Sequence, residues 1–398
     1  MEIGIVGKPN VGKSTFFNAL TLLDVAMAPF PFTTVEPNRG VAAVRTKCPH
    51  GERGVPCQPG NAPCVDGTRW VPVNLVDVPG LVPGAHEGRG LGHKFLDDLR
   101  AVDGFLQVVD LSGATDAEGA IVPAGSQDPA EEVRWLEEEL VAWASEILSR
   151  DFERHARVAE LEGRAAEEML ASRLTGLSIP AGAITAALRA TGLDRDHPST
   201  WSSERRGALA RELLRTAKPR LVVANKCDRS TREAAQALAA SLAPIPVVPA
   251  SADQELTLRR AARAGLIRYR PGDSDFELEN PERLSPPQRR ALDGIRGTMR
   301  RWGSTGVQTA LETTVFDRLH RMVVYPVEDE THWTDSKGRV LPDAHLVPIG
   351  TVARQLAYRV HTDLGQNFIR AIDARTHRAL GADHPLEPNA VVRIVARR

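Results

Sequence analysis

Short apolar runs, each closed by a polar or glycine-bearing cluster, punctuate the chain. Ile3–Val6, Val73–Val76, Phe105–Val109, Leu221–Ala224 and Pro246–Pro249 are too short for helices. Such runs suit strands buried on both faces of a parallel sheet. After Ser14, apolar Phe16, Phe17, Leu20 and Leu23 fall at helical spacing. From about Asp128 to Lys218 the chain turns rich in Ala, Glu, Arg and Leu, and Asp128-Pro129 reads as a helix start. Val133, Leu136, Leu140, Trp143 and Ile147 recur every three or four residues, and Phe152, Val158, Leu161 and Met169 continue the signal. Residues 176–180 break it before a second helical stretch, so a helical hairpin is expected there. A helix is expected from about Val307 to Arg321. From Met322 the period shortens to that of strands: Met322–Val327, His345–Ile349, Asn367–Ile372 and Val391–Val395, with a turn at Asp335–Arg339 and a helix over Thr351–Thr362.

The expected class is therefore α/β. A doubly wound, mainly parallel sheet occupies 1–127 and 219–321, an inserted α-helical, coiled-coil-like domain occupies 128–218, and a small strand-rich domain occupies 322–398. The length, 398 residues, suits this division. Lys and Arg total 50 against 51 Asp and Glu. That balance excludes nucleic-acid binding through bulk positive charge and leaves room for a local patch. No apolar run is long enough to span a membrane, and the N-terminus lacks a secretory pattern, so a cytoplasmic address is expected. Four cysteines are too few for a disulfide scaffold.

The chemistry sits where the strands end. Ile3–Val6 runs into Gly7-Lys8-Pro9-Asn10-Val11-Gly12-Lys13-Ser14, a G-x-x-x-x-G-K-S loop followed by a helix. Its backbone N–H groups would cradle phosphates, Lys13 would reach the β- and γ-phosphates, and the Ser14 hydroxyl would ligate Mg²⁺. The second run ends in Asp77-Val78-Pro79-Gly80, a D-x-x-G in which Asp77 would hold Mg²⁺ through water and the Gly80 N–H would sense the γ-phosphate. Leu221–Ala224 ends in Asn225-Lys226-Cys227-Asp228. The Asp228 carboxylate would accept from the two ring-edge donors that guanine has and adenine lacks, and leaving it unpaired is costly. Ser251-Ala252 would close over the base. Four short motifs in this order, each at a strand end, point to a guanine-nucleotide site.

These residues resemble the translation-factor class of GTPases, and within it the Obg-related YchF family, over nearly the whole chain. The most specific pieces are Gly7–Thr15, Pro31–Asn38 and Leu81–Gly92. The stretch at 48–64 looks like an archaeal-type member. The resemblance implies a slow Mg²⁺-dependent GTPase whose Pro31–Thr34 segment is a switch, with Thr33 or Thr34 reaching Mg²⁺. Leu81 stands where Ras-like enzymes carry the glutamine that orients water, so catalysis must come from elsewhere; His86 is a candidate, against the plainer reading of an exposed loop histidine. Asn10 sits where related GTPases bind K⁺, or it simply stabilises the loop. Many members of the family carry Glu at the last base-reading position and prefer ATP. Asp228 argues for GTP here, with ATP as the alternative. The C-terminal pattern resembles a TGS domain of β-grasp type, which implies a ribosome or RNA partner. A binding module with negligible turnover is the rival reading.

Two further features stay open. Arg259, Arg260, Arg263, Arg268, Arg270, Arg289, Arg290, Arg296, Arg300 and Arg301, and later Arg354, Arg359, Arg370, Arg375 and Arg378, would form phosphate-facing patches or merely reflect a chain that prefers Arg to Lys. Cys48, Cys57 and Cys64 with His50 are a legitimate tetrahedral Zn²⁺ set. Their spacing is irregular and no C-x-x-C pair is present, so a disulfide or free thiols weigh more. Cys227 reads as a bystander inside the base-reading motif.

Overall fold

The computed structural model describes residues 1–22, 39–78, 100, 102–174, 177 and 179–397. They divide into two compact units. The first is built mainly from Met1–Ala19 and Asn74–Ala310, the second from Val41–Val73 and Leu311–Arg398.

In the first unit the apolar runs become strands β1 (Glu2–Val6), β5 (Gly104–Asp110), β6 (Arg220–Asn225) and β7 (Val247–Pro249), together with the second half of β4 (Thr68–Asp77). Their order is β4-β1-β5-β6-β7, and every pair is parallel. Ile5 pairs with both Asp77 and Leu106, and Asp110 pairs with Asn225. The registers therefore bring the C-terminal ends of β4, β1, β5 and β6 to one edge. β5 is buried throughout, which is why its sequence shows no polar alternation.

Residues 128–218 form five α-helices among the described residues, rather than the expected hairpin: Pro129–Ser149, Phe152–Leu161, Ala166–Leu174, Ala181–Thr191 and Ser203–Ala217. The first starts where expected, with the Asp128 carboxylate accepting from Ala130 N–H at 2.9 Å and Pro129 opening the turn. Val133, Leu136, Leu140 and Trp143 form its buried face. Leu136, Leu140 and Trp143 join Phe152, Leu170, Ile184 and Trp201 in one core with Val6, Val76, Val102 and Phe105 of the sheet region. The helices thus share the sheet's core. Val158 and Leu161 depart from the expected apolar face, and Leu161 is 88% exposed.

The second unit carries β10 (Arg321–Val327), β11 (His345–Pro348), β12 (Phe368–Asp373), β13 (Ala379–Leu380) and β14 (Val391–Ala396) in the order β11-β10-β14-β12-β13. β10 and β14 are parallel, and the other pairs described are antiparallel. Helix Ala353–Val360 packs Leu356 with Met322, Val324, Val347, Ala371 and Val392 of this sheet. It is shorter than expected, and Thr362–Gln366 forms a separate turn. The helix from Val307 ends at Glu312 and passes into a π-helical stretch, Thr313–Arg318, before the chain enters β10 at Arg321. The unit also holds β2 (Arg39–Lys47) from Val41 onward, β3 (Cys64–Val65) and the first half of β4. β2 pairs with β4, and β3 turns back on β4 with Cys64 opposite Arg69. No helix among the described residues is long and apolar enough to cross a membrane.

Candidate functional site

The loop between β1 and the helix Lys13–Thr21 takes the backbone conformation that its glycines permit. Gly7 and Gly12 have φ of 146° and 101°. A β-carbon on Gly7 would lie 2.3 Å from the Val108 carbonyl oxygen, and one on Gly12 2.3 Å from the Asn225 amide, so neither position accepts a side chain. Lys13 is buried, and its ammonium donates to the Lys8 carbonyl at 2.6 Å. Burial lowers its pKa, while Asp77 and Glu132 oppose that shift. Lys8 is held in turn. Its Nζ donates to the Thr115 carbonyl at 2.6 Å and lies 3.1 Å from Glu132 on the first inserted helix. Burial raises the Glu132 pKa, and the Lys8 charge restrains it. Pro9 packs against Gly119, and Val11 is fully buried. Thr15 lies in the first turn of the helix.

Ser14 Oγ donates to Asp77 Oδ2 at 2.9 Å, so the two expected Mg²⁺ ligands meet. Asp77 Oδ1 is buried without a hydrogen-bond partner. Burial raises the Asp77 pKa, against the Ser14 hydrogen bond and the Lys13 charge. A hydroxyl beside a carboxylate oxygen with an unused lone pair is the hard-oxygen donor set that Mg²⁺ takes, so these residues fit the ion.

The base-reading motif is wired to the phosphate loop. Asn225 Nδ2 donates to the Val11 carbonyl at 2.8 Å, and Asn225 Oδ1 accepts from Ala252 N–H at 3.0 Å. Lys226 Nζ donates to the Asn10 carbonyl at 3.1 Å and to Asp110 Oδ2 at 2.8 Å. Ser251 Oγ donates to Asp228 Oδ1 at 2.7 Å, which aims the carboxylate. Cys227 is fully buried, and burial pushes its thiol up to about 12, in keeping with a bystander.

Asn10 Nδ2 donates to the Gly119 carbonyl at 2.7 Å, the geometry of a loop-stabilising residue. Thr33, Thr34, Gly80, Leu81 and His86 lie outside the described residues.

Several supporting residues carry no motif. Asp110 closes β5 and accepts from Ser112 N–H, Ser112 Oγ, Thr115 Oγ1 and Lys226. Burial opposes its charge, yet Lys226, Ser112 and Thr115 hold its pKa below the usual range. Its place at a strand end beside the other motifs was a signal in the sequence. Glu255 is fully buried and accepts from Arg259 Nε, Tyr269 Oη and Thr305 Oγ1 at 2.8, 2.6 and 2.5 Å, which braces the Ser251-Ala252 turn. Nothing local in the sequence marks it. Five of the fifteen arginines in the expected basic patches pair with carboxylates among the described residues: Arg259 with Glu255, Arg268 with Glu277, Arg270 with Asp273, Arg296 with Asp275, and Arg375 with Glu52.

A glycine loop, a Ser–carboxylate pair and an Asn-Lys-x-Asp turn at the C-terminal edge of a parallel sheet define a P-loop GTP-binding protein. Family models agree. The 50S ribosome-binding GTPase model matches residues 2–146, the G4-motif domain of Obg-like GTPases of YGR210 type matches 223–329, and the TGS model matches 337–396. An uncharacterized GTP-binding protein of Methanocaldococcus jannaschii is 45% identical over 99% of this chain and 98% of its own. A GTP-binding protein of Pyrococcus horikoshii, known from its crystal structure, is 37% identical with a TM-score of 0.80 over the full length of both chains. The ribosome-binding ATPase YchF of Escherichia coli O157:H7 is 28% identical over 93% of this chain and 87% of its own. The chain belongs to the Obg-like/YchF family of P-loop GTPases and ATPases, with a C-terminal TGS domain.

Proposed function

We propose that this chain is a GTP-selective, Mg²⁺-dependent hydrolase of the β–γ phosphoanhydride that serves as a nucleotide switch on a ribosome or RNA partner in the cytoplasm. The observation that carries guanine selectivity is Asp228, with one oxygen held by Ser251 and its neighbour Asn225 tied to the phosphate loop. A carboxylate so fixed discriminates strongly, because an adenine edge leaves it unpaired. Mg²⁺ would offset charge on the β- and γ-phosphates. Lys13 and the loop amides bind the phosphates, Ser14, Asp77 and Thr34 hold the metal, Gly80 senses the γ-phosphate, and His86 is the candidate that positions water. Asn10 belongs to the phosphate loop and is the residue through which K⁺ would act. In this reading 1–127 with 219–321 is the nucleotide domain, 128–218 the helical insert and 322–398 the TGS domain. The ribosome partner is supported by the printed name of the YchF relative and of the matched GTPase model.

The test is equilibrium titration of nucleotide-free protein with labelled GDP and ADP in Mg²⁺ and K⁺. A preference for GDP of about 100-fold is expected from a paired carboxylate reader. Equal or tighter ADP binding overturns it and makes the chain an ATPase like the relatives bearing that name. Turnover measured with and without ribosomes then separates a switch enzyme from a binding module, the rival that Leu81 sustains.

A further inference from the structure

The loop between β2 and β4 has chemistry that nucleotide binding does not use. Cys48 directly follows β2, His50 opens the one-turn helix His50–Arg53, Cys57 follows in an irregular stretch and Cys64 begins β3. Their ligand atoms all lie within 4.8 Å of one another. Cys48 Sγ is 3.8 Å from Cys57 Sγ, and Cys64 Sγ is 3.6 Å from His50 Nδ1. Tetrahedral Zn²⁺ with bonds of about 2.3 Å to sulfur and 2.0 Å to nitrogen sets S···S near 3.8 Å and S···N near 3.5 Å. A disulfide needs about 2.05 Å between its sulfurs, and all four cysteines of the chain are free.

From this arrangement we infer that Cys48, His50, Cys57 and Cys64 form a structural Zn²⁺ site, closed by four protein ligands, that staples the 48–64 loop onto the 331–344 segment of the C-terminal unit.

Charge supports the site. Three thiolates and a neutral imidazole leave one net negative charge on a Zn²⁺ complex. Arg69, fully buried, faces the cysteines and supplies the matching positive charge. Its described partners are the Ala62 and Leu341 carbonyls, at 2.8 and 2.5 Å, and the face of Tyr325. Without an anion close by, a buried guanidinium is costly.

The loop is also docked along its length. Gln58 N–H donates to the Val340 carbonyl at 2.9 Å, and Gly60 N–H to that of Pro342 at 2.6 Å. Asn61 exchanges hydrogen bonds with the Ala344 backbone at 3.1 and 2.9 Å. Glu52 accepts both arms of Arg375 at 2.6 and 2.9 Å. A stretch with no regular structure between Gly54 and Pro63 makes these contacts cheaply only if something fixes its path. A metal bound at both ends and the middle does so. Irregular spacing in sequence is no obstacle, since β3 folds back on β4 and the Cys64 ligand atom comes within 4.8 Å of that of Cys48.

The test is elemental analysis of the full-length chain purified under reducing conditions, with Co²⁺ exchanged into chelated protein. About one Zn²⁺ per chain and a thiolate–Co²⁺ charge-transfer spectrum with tetrahedral visible bands are expected. Cys57→Ser and Cys64→Ser should lose the stoichiometric metal, and Cys227→Ser should keep it. Chelation should abolish hydrogen-exchange protection at Gln58, Gly60 and Ala344. If the cysteine variants fail to fold, the wild-type metal content and Co²⁺ spectrum still decide. Substoichiometric zinc with no Co²⁺ spectrum, or a Cys48–Cys57 disulfide in the native chain, overturns the site. Bound zinc whose removal leaves those amides protected overturns the staple.

Discussion

Asn225 is the residue on which the two halves of the candidate site depend most directly. Its amide donates to the Val11 carbonyl at 2.8 Å and accepts from Ala252 N–H at 3.0 Å. Val11 and Ala252 are almost fully buried, so water does not replace the lost partner when the amide is cut away. In Asn225→Ala two buried backbone groups are orphaned, each at roughly 1–3 kcal/mol. Taking the lower half of that range for both gives a total of about 2–4 kcal/mol. To the extent that bound nucleotide requires both loops in place, the same energy is lost from binding. That is about 30- to 700-fold in Kd, at about 1.4 kcal/mol per tenfold. Fluorescent-GDP titration reads it directly, with circular dichroism confirming the fold. Asn225→Asp sharpens the test. It keeps the acceptor for Ala252 but sets a second oxygen against the Val11 carbonyl, so it should bind GDP at least tenfold more weakly than wild type. A folded Asn225→Ala protein whose GDP affinity lies within threefold of wild type would refute the argument that this amide couples the loops.

Ser14→Ala removes the hydroxyl beside Asp77. It should cut the Mg²⁺-dependent part of GTP affinity by about tenfold, while affinity in EDTA changes little; paired titrations check this, and an equal loss in both buffers counts against a metal-holding role. Lys218 supplies a pH signature. Burial lowers its pKa to about 8, against a pull upward from Asp103, and its ammonium donates to the Arg100 carbonyl at 3.0 Å and to that of Val102. Above pH 8 the folded lysine is deprotonated while the unfolded one, titrating near 10.5, still holds its proton. The unfolded state then binds more protons, so this residue adds stability as pH rises from about 8 toward 10.5. Lys218→Met should remove that increment from the pH dependence of the urea midpoint, and an identical slope in the variant would dismiss it.

Local order along the chain already determined the nucleotide chemistry. Each motif is a few residues long and follows directly on an apolar run. A strand ending in such a cluster places it at the sheet's C-terminal edge whatever the rest of the fold does. The parallel sheet, the start of the helix at Asp128 and the strand-rich C-terminal region were legible for the same reason: period and capping are local properties. Other features depend on which distant segments meet. The number of inserted helices was hidden because short helices with mixed faces share one core with the sheet. Leu161 looked apolar in sequence, yet its turn of helix faces water. Glu255 and Asp110 are ordinary acids until folding removes their water and supplies Tyr269, Thr305 and Lys226 as partners. Two of the arginines that looked like a surface for phosphate, Arg296 and Arg375, meet carboxylates from distant parts of the chain, Asp275 and Glu52. The cysteines make the contrast sharpest. Their spacing fits no regular metal motif, so the sequence weighed against zinc. Only the return of β3 onto β4, which closes a loop far longer than any local motif, brings three sulfurs and an imidazole within 4.8 Å of one another.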